Sequence, residues 1–93
     1  MLFPLGRLVQ TAGVAHESIR NPFFATEVRQ CIERHKKGDW GDLSDNDKQA
    51  NQDALVHGDQ ILSAYNTREG SDKVYVITEY DRSVTTVLFA SEY

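Results

Sequence analysis

Thr78-Glu79-Tyr80-Asp81-Arg82-Ser83, followed by Thr85-Thr86, is the densest cluster of polar side chains in the sequence. Two carboxylates beside a guanidinium could form a general acid/base pair, or an anion site whose arginine is steered by acids. The same residues also make an ordinary turn, with Asp81 and Arg82 in water and the threonines paired across strands. Glu79, Asp81 and Arg82 are therefore the candidate ligand-binding residues, and no catalytic residue is assigned.

Cys31 has His35 one helical turn away and Arg34 nearby, so a Cys-His pair is geometrically conceivable. Its place on an apolar stripe reads instead as a small buried hydrophobe. His16, His35 and His57 lie in three different segments. Their i+4 neighbours are Arg20, Asp39 and Ile61, and Asp39 falls beyond the expected helix end. No helical zinc pair results, and His35 reads as a last-turn cation or the edge of the stripe. Six aspartates between 39 and 59 could suggest a hard cation. An EF-hand loop counted from Asp45 has Ala50 and Val56 at its required Gly and Glu positions, and one counted from Asp42 has Asp47 and Asp53. No metal site and no cofactor are expected. Trp40, in a Gly-Asp-Trp-Gly-Asp loop, suits either a partner-binding anchor or a plug at the end of the core with its N–H on a carbonyl. Trp40, Asp42 and Asp45 are the candidate protein-interaction residues.

The elements that must position these groups are legible. Lys73–Glu79 and Ser83–Ala90 are rich in β-branched and aromatic residues, and the break between them has hairpin length. With Asp81-Arg82 as a two-residue turn, Thr78 faces Thr85, Val76 faces Val87 and Val74 faces Phe89. Both faces are largely apolar in mid-strand, which predicts helices on one side and at least partial cover on the other. Ile61–Tyr65 reads as a third strand, joined to the hairpin by a turn over 66–72. Residues 6–11 read as a further strand or extended arm, and a short helix is expected over about 14–20. Asn21-Pro22 marks the start of the best helix, whose stripe is Phe24, Val28, Cys31, Ile32 and His35, and Gly38 marks its end. Ser44 with Asp47 opens a helix to His57, capped by Gly58, with a narrow stripe of Ala50, Ala54 and Leu55. The fold class is α+β: a three- to four-stranded antiparallel sheet packed with two to three helices, the 22–37 helix on one face and the 45–57 helix at an edge or end.

Ninety-three residues, 40% hydrophobic and 26% charged, predict one domain over 1–93. The apolar opening is too short for a signal peptide or membrane span, and a single cysteine fits a reducing compartment, so a cytoplasmic protein is expected. Residues 1–38 carry six Lys/Arg against three Glu, and residues 39–93 four against eleven Asp/Glu, which together give −4. The acidic longer half makes direct nucleic-acid binding unexpected and favours a basic partner.

Gly38-Asp-Trp-Gly-Asp-Leu43, Ala54-Leu55 with His57-Gly58, Ile61–Tyr65, Val76-Ile-Thr-Glu79, Asp81-Arg-Ser-Val-Thr-Thr-Val-Leu88 and Glu92-Tyr93 together resemble a family of small uncharacterised bacterial proteins met on plasmids and other mobile elements. The resemblance runs from about residue 3 to the end, and its C-terminal run is the specific part. It implies a bacterial, cytoplasmic accessory protein and carries no activity or residue role. The expected function is a non-enzymatic interaction module that binds another protein through its acidic half, such as a host-defence or plasmid-maintenance component. The alternative is a small enzyme or ligand-binding domain using Glu79, Asp81 and Arg82. A homodimer is compatible with either.

Overall fold

The computed structural model describes residues 2–68 and 72–93. In chain order it contains β1 (Arg7–Gln10), α1 (Ala12–Arg20), α2 (Pro22–Lys36), α3 (Asp45–His57), β2 (Ile61–Tyr65), β3 (Val74–Thr78), β4 (Val84–Phe89) and a 3-10 turn, Ala90–Glu92. The four strands form one sheet in the order β1-β4-β3-β2. The fold is α+β. The β3–β4 register pairs Val74 with Phe89, Val76 with Val87 and Thr78 with Thr85, as the strand pattern predicts. The fourth strand departs from the expected all-antiparallel sheet, because β1 runs parallel to β4. A strand that reaches its neighbour only through three helices and two other strands is not bound to reverse direction, as a hairpin partner is. Part of the expected 66–72 turn, residues 69–71, lies outside the described residues.

Thr11 ends β1 and starts α1 with different groups. Its N–H donates to the Val87 carbonyl at 3.0 Å, while its hydroxyl accepts from the Val14 N–H at 3.3 Å. This cap starts the helix two residues earlier than the apolar spacing suggests. Asn21 likewise serves two helices: its N–H closes α1 on Glu17, and its side chain accepts from the first N–H groups of α2. Val14 of α1 and Phe24, Val28 and Cys31 of α2 pack on Tyr65, Val74, Val76 and Val87, forming the main core on one face of the sheet. A second cluster on the same side joins Phe3, Trp40, Ala54 and Ile61.

α3 is placed by one amide. Asn51, only 4% exposed, donates to the Leu62 carbonyl at 2.8 Å and accepts from the Leu62 N–H at 3.1 Å. It thus supplies both partners that a further strand would give the free edge of β2. The expected stripe is corrected accordingly: Asn51 and Ala54 are buried, and Ala50 is exposed. One step along the same edge, the Ala64 N–H donates to the Trp40 carbonyl and the Asp42 N–H donates to the Ala64 carbonyl, at 3.1 and 2.7 Å. Gly41 lies between them at φ 77°, where a Cβ would sit 2.0 Å from the Ala64 oxygen. The β2 edge is sealed by main chain and amide together.

Candidate functional site

The 79–83 turn brings Glu79, Asp81 and Arg82 together without making a receptor. The Arg82 N–H closes the turn on the Glu79 carbonyl at 2.9 Å. Asp81 accepts from both the N–H and the hydroxyl of Ser83, which holds its carboxyl below the usual range. Arg82 has a left-handed backbone, φ 61°, and this turns its side chain back under the loop. Its guanidinium donates to the carbonyls of Ala54 at 3.0 Å, Asp59 at 2.6 Å, Glu79 at 3.1 Å and Tyr80 at 3.3 Å, and lies 5.8 Å from the Phe3 ring. Ala54 is in the last turn of α3, where carbonyls lack helical partners and cations are favoured. Of the candidate ligand-binding residues Glu79, Asp81 and Arg82, the arginine is thus largely engaged within the chain and Asp81 is held by Ser83. Nη1 and Nη2 of the arginine donate to main-chain oxygens and fasten the hairpin tip to α3, while the turn forms with the register expected of it.

The buried polar chemistry lies elsewhere. His35, fully buried, has Nδ1 2.6 Å from the Ser63 hydroxyl and Nε2 2.9 Å from that of Thr78; Thr78 in turn lies 2.7 Å from the Thr85 hydroxyl. Thr85 donates to the Leu5 carbonyl at 2.7 Å. That acceptor-only carbonyl fixes the direction of every proton. Thr85 spends its hydrogen on Leu5, so Thr78 must donate to Thr85, and His35 must donate from Nε2 to Thr78. Nδ1 is then left to accept from Ser63. The chain runs from β2 through α2 to β3, β4 and the N-terminal arm.

Of the two readings of His35, this geometry bears out its place on the buried stripe of α2 and not the last-turn cation. Burial lowers its pKa from 6.5 to about 4, because no carboxylate compensates a charged ring there. The ring is neutral at pH 7 and is edged by Phe3 and Trp40 at centroid distances of 5.2 and 6.0 Å. Ser63 and His35 resemble a nucleophile–base pair, but both are fully buried, as are Thr78 and Thr85. No substrate can reach them. Both ring nitrogens are occupied, so His35 cannot act as a base for Cys31. Cys31 is a buried core residue, and desolvation pushes its thiol up to about 11.

Trp40 is 4% exposed and plugs the second cluster, which corrects the anchor reading. Its indole N–H is buried and has no hydrogen-bond partner among the described residues, in contrast to the expected carbonyl. Asp42 is exposed and paired with Lys73 at 2.8 Å, and Asp45 is an exposed first-turn acid of α3. Asp39 is held by Arg34 at 2.6 Å, and Arg34 also lies over the Tyr65 ring. This pairing occupies one of the two arginines, Arg34 and Arg68, that line a groove of about 550 Å³ together with Phe23 and Gln30 among others. The acidic run is thus divided between ion pairs and the outer side of α3.

Sequence reasoning did not anticipate the state of the second sheet face. Strand alternation and the observed register put Arg7, Val9, Leu62, Ala64, Tyr75, Ile77, Val84, Thr86 and Leu88 on it. Val14 of α1, the α2 stripe and Ala54 of α3 all pack with residues of the opposite face. Tyr93 reaches the second face, its ring 5.7 Å from that of Tyr75. Val9, Leu62, Tyr75, Val84 and Thr86 stay half-buried, a contiguous apolar surface without a helix over it. The alternation signal was present, and the expected partial cover is found at Ala64, Ile77 and Leu88, which are buried, and at Tyr75, which Tyr93 meets. Among the described residues no helix is long and apolar enough to cross a membrane. No family model, curated protein or solved structure matches this chain.

Proposed function

We propose that this chain is a non-enzymatic protein-interaction module of the cytoplasm whose contact surface is the bare apolar face of its sheet. The observation that carries the reading is that face: Val9, Leu62, Tyr75, Val84 and Thr86, drawn from all four strands, stay half-buried around the buried Ala64, Ile77 and Leu88 on the side opposite α1 and α2, with Arg7 at the rim. Contiguous apolar surface of this kind marks partner contacts in soluble domains. The exposed acids Asp45, Asp47 and Asp53 of α3 stand beside the β2 edge and favour a basic partner at the rim. The resemblance to accessory proteins of mobile elements suggests a host-defence or plasmid-maintenance component as that partner. The interaction module is preferred over a ligand site because Nη1 and Nη2 of the guanidinium that would bind a ligand already donate to four carbonyls.

Quantitative capture from a bacterial lysate tests this with three baits. Thr86→Glu puts a charge in the middle of the face and should abolish a capture made by the parent chain, with circular dichroism unchanged. Asp45→Lys with Asp47→Lys should only weaken it. A captured protein that Thr86→Glu still retains would remove the sheet face from the account.

A further inference from the structure

The two edges of the sheet are treated differently. The β2 edge is closed by Asn51 and the 40–42 segment, whereas no described residue hydrogen-bonds to the outer edge of β1. The Arg7 and Thr11 N–H groups donate to Ser83 and Val87 of β4, at 2.9 and 3.0 Å. In a parallel ladder this alternation turns the main-chain groups of Leu8 and Gln10 away from the sheet. Both residues are exposed, and no main-chain partner for either is found among the described residues. No proline, lysine or bulge blunts the strand.

We propose that β1 pairs with β1 of a second copy, antiparallel and across a two-fold axis, making one continuous eight-stranded sheet. The outward groups fix the register. Leu8 pairs with Gln10 of the partner subunit, Gln10 with the partner's Leu8, and the two Val9 residues face each other on the axis. Four hydrogen bonds form, each N–H of Leu8 and Gln10 meeting a carbonyl of the other copy.

Two further features are self-complementary in that register. A groove of about 260 Å³ lined by Leu8, Val9, Gln10, Ile32 and Val87 adjoins the open edge. Leu8, half-exposed in one copy, lies opposite the partner's Gln10 and enters the partner's groove. The second feature is charge. Arg7 comes to lie opposite Thr11 of the other copy, whose hydroxyl is 2.8 Å from Glu92. Neither Arg7 nor Glu92 has an ion pair among the described residues, so two Arg7–Glu92 pairs close the ends of the ribbon. The bare sheet face stays free and is doubled in extent. The inference therefore goes beyond the proposed function and does not depend on it.

Sedimentation velocity of the full chain from roughly 1 μM to 1 mM, the range over which a short ribbon associates, tests the pairing. The Gln10 N–H points away from its own sheet, so Gln10→Pro is tolerated there and removes two intersubunit hydrogen bonds. The expected result is a concentration-dependent dimer whose dissociation constant rises roughly thirtyfold in Gln10→Pro, two bonds at their usual net value. Arg7→Glu, at a side chain with no ion pair among the described residues, should weaken the dimer at low salt and lose much of that effect at 0.5 M NaCl. It decides the matter if Gln10→Pro loses its fold. A monomer throughout the range, or a dimer indifferent to both substitutions, would overturn the proposal.

Discussion

Lowering the pH should remove a defined part of this protein's stability through His35. The ring titrates near 6.5 when unfolded and about 4 when folded. Between these values the unfolded chain binds the extra proton, so stability is full above pH 6.5 and falls as the pH drops toward 4. The linkage relation gives a loss of about 2 kcal/mol at pH 5, and roughly 3 kcal/mol once both states are protonated. For a domain of this size, 2 kcal/mol is a fall in Tm of roughly 10 °C. Structurally, a proton on Nδ1 places two donors against each other, so the 2.6 Å bond to Ser63 must reorganise. Asp39, Asp42, Asp72 and Asp81 also have lowered pKa values. They are depressed from 3.8 and largely exposed, so they act below pH 4 and weakly. The assay is urea unfolding at pH 7, 6 and 5 for the parent chain and His35→Leu. The variant should be less stable at pH 7, because Ser63 and Thr78 lose a partner, and the parent-minus-variant difference should shrink by about 2 kcal/mol at pH 5. A difference that stays constant over this range, or a His35 ring seen by NMR to titrate near 6.5, would refute the reasoning.

Two other substitutions test how the edges and the turn are held. Arg82→Ala should cost about 2 kcal/mol by chemical denaturation, since it uncovers carbonyls of α3 and the turn. Arg82→Gly should be about 1 kcal/mol less damaging than the alanine variant, reversing the usual order, because only glycine adopts φ 61° without strain. Asn51→Ala should cost about 2 kcal/mol and speed hydrogen exchange at the Leu62 amide, and Asn51→Asp should be no better, since its carboxylate faces the Leu62 carbonyl.

Local chemistry was legible wherever one stretch of chain decides it. Asn21-Pro22 caps α2, Ser44 and Gly58 bound α3, and the constant sum of positions places Val74 opposite Phe89. What the sequence conceals is tertiary choice. No local pattern says that β1 lies beside β4 rather than β2, or that the polar Asn51 turns inward to satisfy Leu62. His35 sits where a cation is favoured, and only Ser63 and Thr78, 28 and 43 residues away, make it a neutral buried ring. Arg82 looks free because its acceptors are main-chain oxygens, which every residue has. The bare face was visible as alternation in β3 and β4. That its cover is only partial depends on all three helices packing with the opposite face.

Covalent footprinting with a small diffusible label, in buffer and then in concentrated bacterial lysate, addresses the sheet face directly. The account predicts that label at Tyr75, Val84, Thr86 and Tyr93 falls in lysate, while the 79–82 turn is labelled equally in both. Protection confined to that turn, with the sheet face labelled as in buffer, would contradict it.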